Sequence, residues 1–89
     1  MRALECAAQA RLGLGTPAQA ARDARLALEV APLREPAWRL LMNSLAATGD
    51  GASALAAYDR CRAALRETLG VGPSAATREC HSALLTQTE

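Results

Sequence analysis

Apolar residues recur along this chain at helical spacing, in stretches separated by short runs of glycine and proline. The clearest stretch, PAWRLLMNSLAAT from Pro36, sets Trp38, Leu41, Met42 and Leu45 at i, i+3, i+4 and i+7. That spacing is one stripe of a 3.6-residue helix. Pro36 suits a first helical position, where its missing N–H costs no hydrogen bond. Gly49-Asp50-Gly51 ends the helix. The next stretch, ASALAAYDRCRAALRETL, places Ala54, Leu55, Tyr58, Cys61, Leu65 and Leu69 on one side of a second helix. So short a turn makes the two helices antiparallel neighbours, a hairpin over about residues 36–69. The apolar residues of these two stripes are the expected core.

Upstream, residues 2 to about 13 read as a helix carrying Leu4, Ala7, Ala8 and Leu12, ended by Gly13 and Gly15. Thr16-Pro17 offers an N-cap followed by proline at N1. A second helix then runs to about Ala31, before Pro32, so a first hairpin covers about residues 2–31. Downstream, Gly70 can supply a left-handed C-cap and Ser74 the next N-cap. A last helix over about residues 74–85 has an inward stripe of Thr77, Cys80, His81, Leu84 and Leu85. It is expected to cap the second hairpin. The prediction is a single all-α domain over residues 1–89.

Sliding the sequence by 34 residues exposes a repeat. Leu4 falls on Trp38, Ala7 on Leu41, Ala8 on Met42 and Gly15 on Gly49. Thr16 falls on Asp50, Ala20 on Ala54, Ala24 on Tyr58 and Ala27 on Cys61. Large residues of the second copy face small ones of the first, so the second copy should carry most of the core.

This period and these positions resemble the tetratricopeptide repeat (TPR). Trp38, Leu41, Gly49, Ala54 and Tyr58 fit its pattern in the second copy, and Gly15, Ala20, Ala27 and Pro32 fit in the first. Leu4 and Ala24 depart from it at aromatic positions, Met42 at a small position and Arg66 at the proline. The resemblance implies two helical hairpins in a TPR-like right-handed superhelix, closed by the C-terminal helix.

A narrower resemblance rests on Pro32 to Trp38, Leu41-Met42, Leu45, Ala54 to Tyr58, Leu65, Leu69-Gly70, Pro73, His81 and Leu84-Leu85. Together these are similar to the bacterial transcriptional activator domain (BTAD) of SARP/AfsR-type regulators. Thr77 and Cys80 depart from it, standing where leucines are usual. The resemblance implies a non-enzymatic regulatory module that mediates dimerisation and contacts with the transcription machinery. It also implies an N-terminal winged-helix domain that binds DNA and further BTAD helices before the point where Met1 stands, none of which this chain includes. The chain is accordingly expected to be a fragment, a truncated product or a short relative. The alternative is a stand-alone TPR adaptor that binds a peptide or a helix of a partner protein.

Composition narrows the core. The hydrophobic share is 51%, but 22 residues are alanine and none is phenylalanine. Alanine favours helix yet buries little surface, so helices must pack closely. The net charge is +1, and all ten basic residues are arginines interspersed with nine acids. That is no electrostatic footprint for nucleic acid, and direct DNA binding by this chain alone is not expected.

Cys6, Cys61 and Cys80 form no CxxC or Cys/His cluster and read as buried, reduced thiols, which favours a cytoplasmic protein. No apolar run approaches the ~18 residues of a membrane span, and the start lacks signal-peptide organisation. A soluble protein without membrane association is expected.

No catalytic, metal-binding or cofactor constellation is apparent. His81 has only sequence neighbours, which point away from it on a helix. Ser44, Ser53, Ser74 and Ser82 lie in no nucleophile elbow. The glycines punctuate helices and form no phosphate loop.

What remains is surface. Arg2, Glu5, Gln9, Arg39 and Asn43 are the candidate partner-binding face, on the first helices that line a TPR groove. Leu4, Leu12 and Leu14 are a candidate surface for self-association or for docking a missing segment, because solenoid hairpins bury their faces against neighbours.

Overall fold

The computed structural model describes residues 2–87. Five helices follow one another: α1 (Arg2–Gly13), α2 (Pro17–Val30), α3 (Glu35–Ala47), α4 (Gly51–Leu69) and α5 (Ala75–Gln87). No strand occurs among the described residues. The expected all-α architecture is the one observed. α1 packs on α2, α2 on α3 and α3 on α4, and α5 lies across α3 and α4. α3 touches all four other helices and is the axis of the fold.

The 34-residue repeat has a structural counterpart in the two hairpin turns. After α1, Gly15 N–H donates to Leu12 C=O at 3.2 Å and Thr16 N–H to Arg11 C=O at 2.8 Å. After α3, Gly49 donates to Ala46 at 3.0 Å and Asp50 to Leu45 at 3.0 Å. Each is a Schellman closure, which needs a left-handed residue. Glycine supplies it both times, with φ of +81° at Gly15 and +86° at Gly49.

The caps that follow differ. Asp50 accepts from Ser53 N–H at 3.1 Å, a side-chain N-cap for α4. Thr16 makes no such bond, contrary to expectation. Its hydroxyl instead donates to Arg11 C=O at 2.8 Å, reinforcing the end of α1.

The core is the expected stripe with α2 laid against it. Trp38, Leu41, Met42 and Leu45 of α3 are buried with Ala54, Ala57, Tyr58, Cys61 and Leu65 of α4. Ala20, Ala21, Ala24, Ala27 and Leu28 of α2 are buried too, and Leu84 joins from α5. Trp38 is only 4% exposed, and its indole N–H donates to Pro32 C=O at 2.8 Å, so no polar atom of the ring is stranded.

Several placements differ from the sequence reading. Leu69 is 58% exposed. α4 has 19 residues against 13 in α3, so its last turn extends past its partner. Leu55 is only partly buried. Cys6 is exposed and Cys80 half-buried, so only Cys61 is the expected buried thiol. Leu85 is 43% exposed. Gly70 does provide the left-handed cap of α4, with φ +69° and its N–H on Arg66 C=O.

Candidate functional site

α3 buries one face in the core, and its polar face is the floor of a groove of about 460 Å³. Pro36, Arg39, Leu40 and Asn43 form that floor, Glu5, Cys6 and Gln9 of α1 one wall, and Cys80 of α5 the other. Among the described residues no Cα of α1 comes within 8 Å of one in α5, so the walls stand apart.

The groove is polar and internally braced. The Arg34 guanidinium donates to both carboxylate oxygens of Glu5, Nη2 to Oε1 at 3.1 Å and Nε to Oε2. This two-point bond ties the start of α3 to α1. The hydrogen bond and charge of Glu5 raise the Arg34 pKa above its ordinary value. Arg39 Nη1 donates to Thr77 Oγ1 at 3.0 Å, leaving the rest of its fork of donors toward the groove. The Cys80 thiol donates to Asn43 Oδ1 at 3.4 Å, so the Asn43 amide nitrogen keeps its two donors. Burial pushes the Cys80 pKa up, partly opposed by the Arg39 charge.

Of the five residues expected on a partner-binding face, Glu5, Gln9, Arg39 and Asn43 share this groove. The Arg2 side chain lies outside the described residues. Arg34 and Cys80 are further lining residues that the sequence reading did not single out as a site. Arg34 sits in the Leu33-Arg34-Glu35-Pro36 run that carried the family resemblance. Nothing about Cys80 alone signalled a wall position.

The candidate self-association residues are dispersed. Leu4 is partly buried against the core, Leu12 is half-buried and Leu14 is 81% exposed. Leu26 and Val30 of α2 are also exposed.

His81 is half-buried and stacks on Tyr58, with ring centroids 3.8 Å apart and planes 9° from parallel. No group of three or more His, Cys, Asp or Glu residues is placed to hold a metal among the described residues. No helix there is long and apolar enough to cross a membrane.

A family model for the bacterial transcriptional activator domain matches residues 1–85. The chain belongs to this family. Among solved structures, this BTAD superposes on Mycobacterium tuberculosis EmbR, described in complex with a low-affinity phosphopeptide. The TM-score is 0.86 at 26% sequence identity, over 90% of this chain and 21% of that one. The BTAD therefore spans about a fifth of the length of the structure it matches. No curated protein matches its sequence. The family match and the likeness to EmbR, a SARP-type regulator, make the chain a BTAD of the SARP type. Such a domain is a part of bacterial transcriptional activators.

Proposed function

We propose that this BTAD is the protein-interaction module of a SARP-like activator, mediating dimerisation and contacts with the transcription machinery. A separate winged-helix domain would supply DNA binding. The observation that supports this reading is the α1–α3–α5 groove. It presents the Arg39 guanidinium and the amides of Gln9 and Asn43 from helices that the core holds in place. Amide donors and acceptors satisfy a peptide main chain, and a guanidinium takes a carboxylate through charge-assisted bonds. Leu14, exposed at the tip of the first hairpin, would contribute to the contact between copies.

The test uses a regulator that carries this module. Gln9→Ala and Asn43→Ala together are expected to lower transcription from a target promoter while promoter binding is retained. Normal transcription from a folded double variant would reject the groove as the contact surface. The isolated chain should show no salt-sensitive shift of DNA, and light scattering at micromolar concentration should show a dimer that Leu14→Glu dissociates. A monomer at every concentration would remove dimerisation from the reading.

A further inference from the structure

On the opposite side of α3 lies a second hollow, of about 250 Å³, between α2 and α4. α2 and α4 come nowhere within 8 Å of each other by Cα among the described residues, so α3 is its floor. The floor is apolar: Leu41 and Trp38 of α3, with Leu28 of α2, all buried. The indole N–H is already bound to Pro32 C=O, which leaves Trp38 only hydrocarbon surface to offer.

The rim is charged. Arg25 and Glu29 line it from α2 and Arg60 from α4, and the Arg60 guanidinium lies 5.7 Å from the Trp38 ring centroid. None of the three has an ion-pair partner within 4.0 Å among the described residues, even though Arg25 and Glu29 are one helical turn apart. Two guanidinium groups therefore line a hollow with an apolar floor, Arg60 over the Trp38 ring and Arg25 within the electrostatic reach of Asp50, and Glu29 lies beside them.

We propose that this hollow binds a small organic acid with one carboxylate and a flat apolar body. The guanidinium forks match a carboxylate in geometry and charge, and they stack on aromatic faces. The apolar body would lie against Pro32 and the small exposed edges of Trp38 and Leu28, beside Arg60. At about 250 Å³ the hollow is smaller than the roughly 300–1,000 Å³ of drug-sized sites, so it has room for a single ring. Glu29 repels a second anionic group and so selects a monoacid over a diacid. This reading is independent of the groove on the other side of α3.

The chain contains one tryptophan, and it lines the hollow, so its fluorescence reports occupancy directly. Phenylacetate titrated into the full chain is expected to give a saturable change in Trp38 emission. Phenylacetamide, which lacks the charge, should bind at least about tenfold more weakly. Arg25→Gln and Arg60→Gln should each weaken phenylacetate by about tenfold, compared as dissociation constants and not as amplitudes. Glu29→Gln should tighten it and admit phenylsuccinate, a gain that misfolding cannot mimic. The proposal is overturned if phenylacetate gives no saturation, if the amide binds equally well, or if Glu29→Gln weakens binding. An acidic peptide that perturbs Trp38 where phenylacetate does not would assign the hollow to a protein partner and overturn it as well.

Discussion

The Thr77 hydroxyl, fully buried, donates a 2.7 Å hydrogen bond to the Glu35 carboxylate and accepts one from Arg39 at 3.0 Å. Glu35 also accepts from Ser74 N–H at 2.9 Å. Thus α5 is held to α3 by a satisfied polar cluster. The threonine does not weaken the last helix, because every group it buries has a partner.

Thr77→Val keeps the shape of the side chain but removes the hydroxyl between an acid and a guanidinium. It is expected to destabilise the fold by about 1–3 kcal/mol in urea denaturation, the cost of orphaning buried polar groups. Thr77→Ser, which loses one methyl, should cost only about 0.8 kcal/mol. If valine were as stable as threonine, the cluster would contribute nothing.

The same cluster predicts a pH dependence. Partial burial of Glu35 by itself raises its pKa. The Ser74 N–H, the hydroxyls of Thr77 and Ser74 and the charge of Arg39 more than offset this, leaving it below the ordinary 4.5. A folded value below the unfolded one means that ionisation favours the fold. That contribution is complete above about pH 4.5 and is lost as pH falls through the depressed folded value. The stability gap between wild type and Glu35→Gln should therefore narrow on acidification below pH 4.5 and stay constant above it.

Helix positions, turns and most of the core were legible in the sequence because they depend on local rules. The Trp38 stripe follows from a period of 3.6, and the turns at Gly15 and Gly49 follow from a residue that tolerates positive φ. What was not legible depends on where a helix meets a partner distant in sequence. Leu69 fits the α4 stripe by spacing, yet α3 is too short to cover it. Thr77 reads as a weak core residue until α5 docks and brings it to Glu35, 42 residues away. The groove was half legible. Helical phase puts Arg39 and Asn43 on one face of α3, but only the packing of α1 and α5 supplies Arg34 and Cys80 beside them.

Ser44 and three glycines allow the backbone argument to be tested with opposite signs. The Ser44 hydroxyl is fully buried and has no hydrogen-bond partner. Ser44→Ala removes that burden and improves helix propensity, for an expected gain of about 1 kcal/mol. Gly13 closes α1 without a positive φ, and a Cβ there would meet nothing within 4 Å. Gly13→Ala should add about 0.4–1 kcal/mol by restricting the unfolded chain. Space is equally open at Gly49 and Gly70, but their φ values are positive, so alanine at either should cost about 1–2 kcal/mol. Thermal melts of the four variants separate conformational strain from crowding, which is absent at all three glycines.

The three thiols should separate by reactivity. Cys6 is exposed, while Cys80 is half-buried and bonded to Asn43. Cys61 is buried, and burial together with the nearby Glu35 charge pushes its pKa up to about 11, against the opposing pull of Arg39. The thiolate is the reactive form. At pH 8, iodoacetamide should label Cys6 first, Cys80 more slowly, and Cys61 only as fast as the fold opens. Mass spectrometry of the labelled peptides over time gives the order. Because the folded Cys61 value lies above the unfolded 9.0, the neutral thiol favours the fold below pH 9.0. That support drains away as pH rises toward 11, so alkaline solutions should speed Cys61 labelling more than thiolate formation in an unfolded peptide predicts.

Stacking of Tyr58 on His81 joins α4 to α5 one helical turn beyond Thr77, on the same inward face of the last helix. Near-parallel stacking at 3.8 Å and 9° is a specific geometry, and aromatic pairs in general are worth about 0.5–1.5 kcal/mol beyond the area they bury. A double-mutant cycle with Tyr58→Leu and His81→Leu isolates that share, because leucine keeps most of the apolar volume at each site. The coupling energy should fall in this range, and His81→Phe should preserve it. A coupling of zero would mean that the rings lie together without contributing to the docking of α5, leaving the Glu35–Thr77–Arg39 cluster and Leu84 to hold that helix.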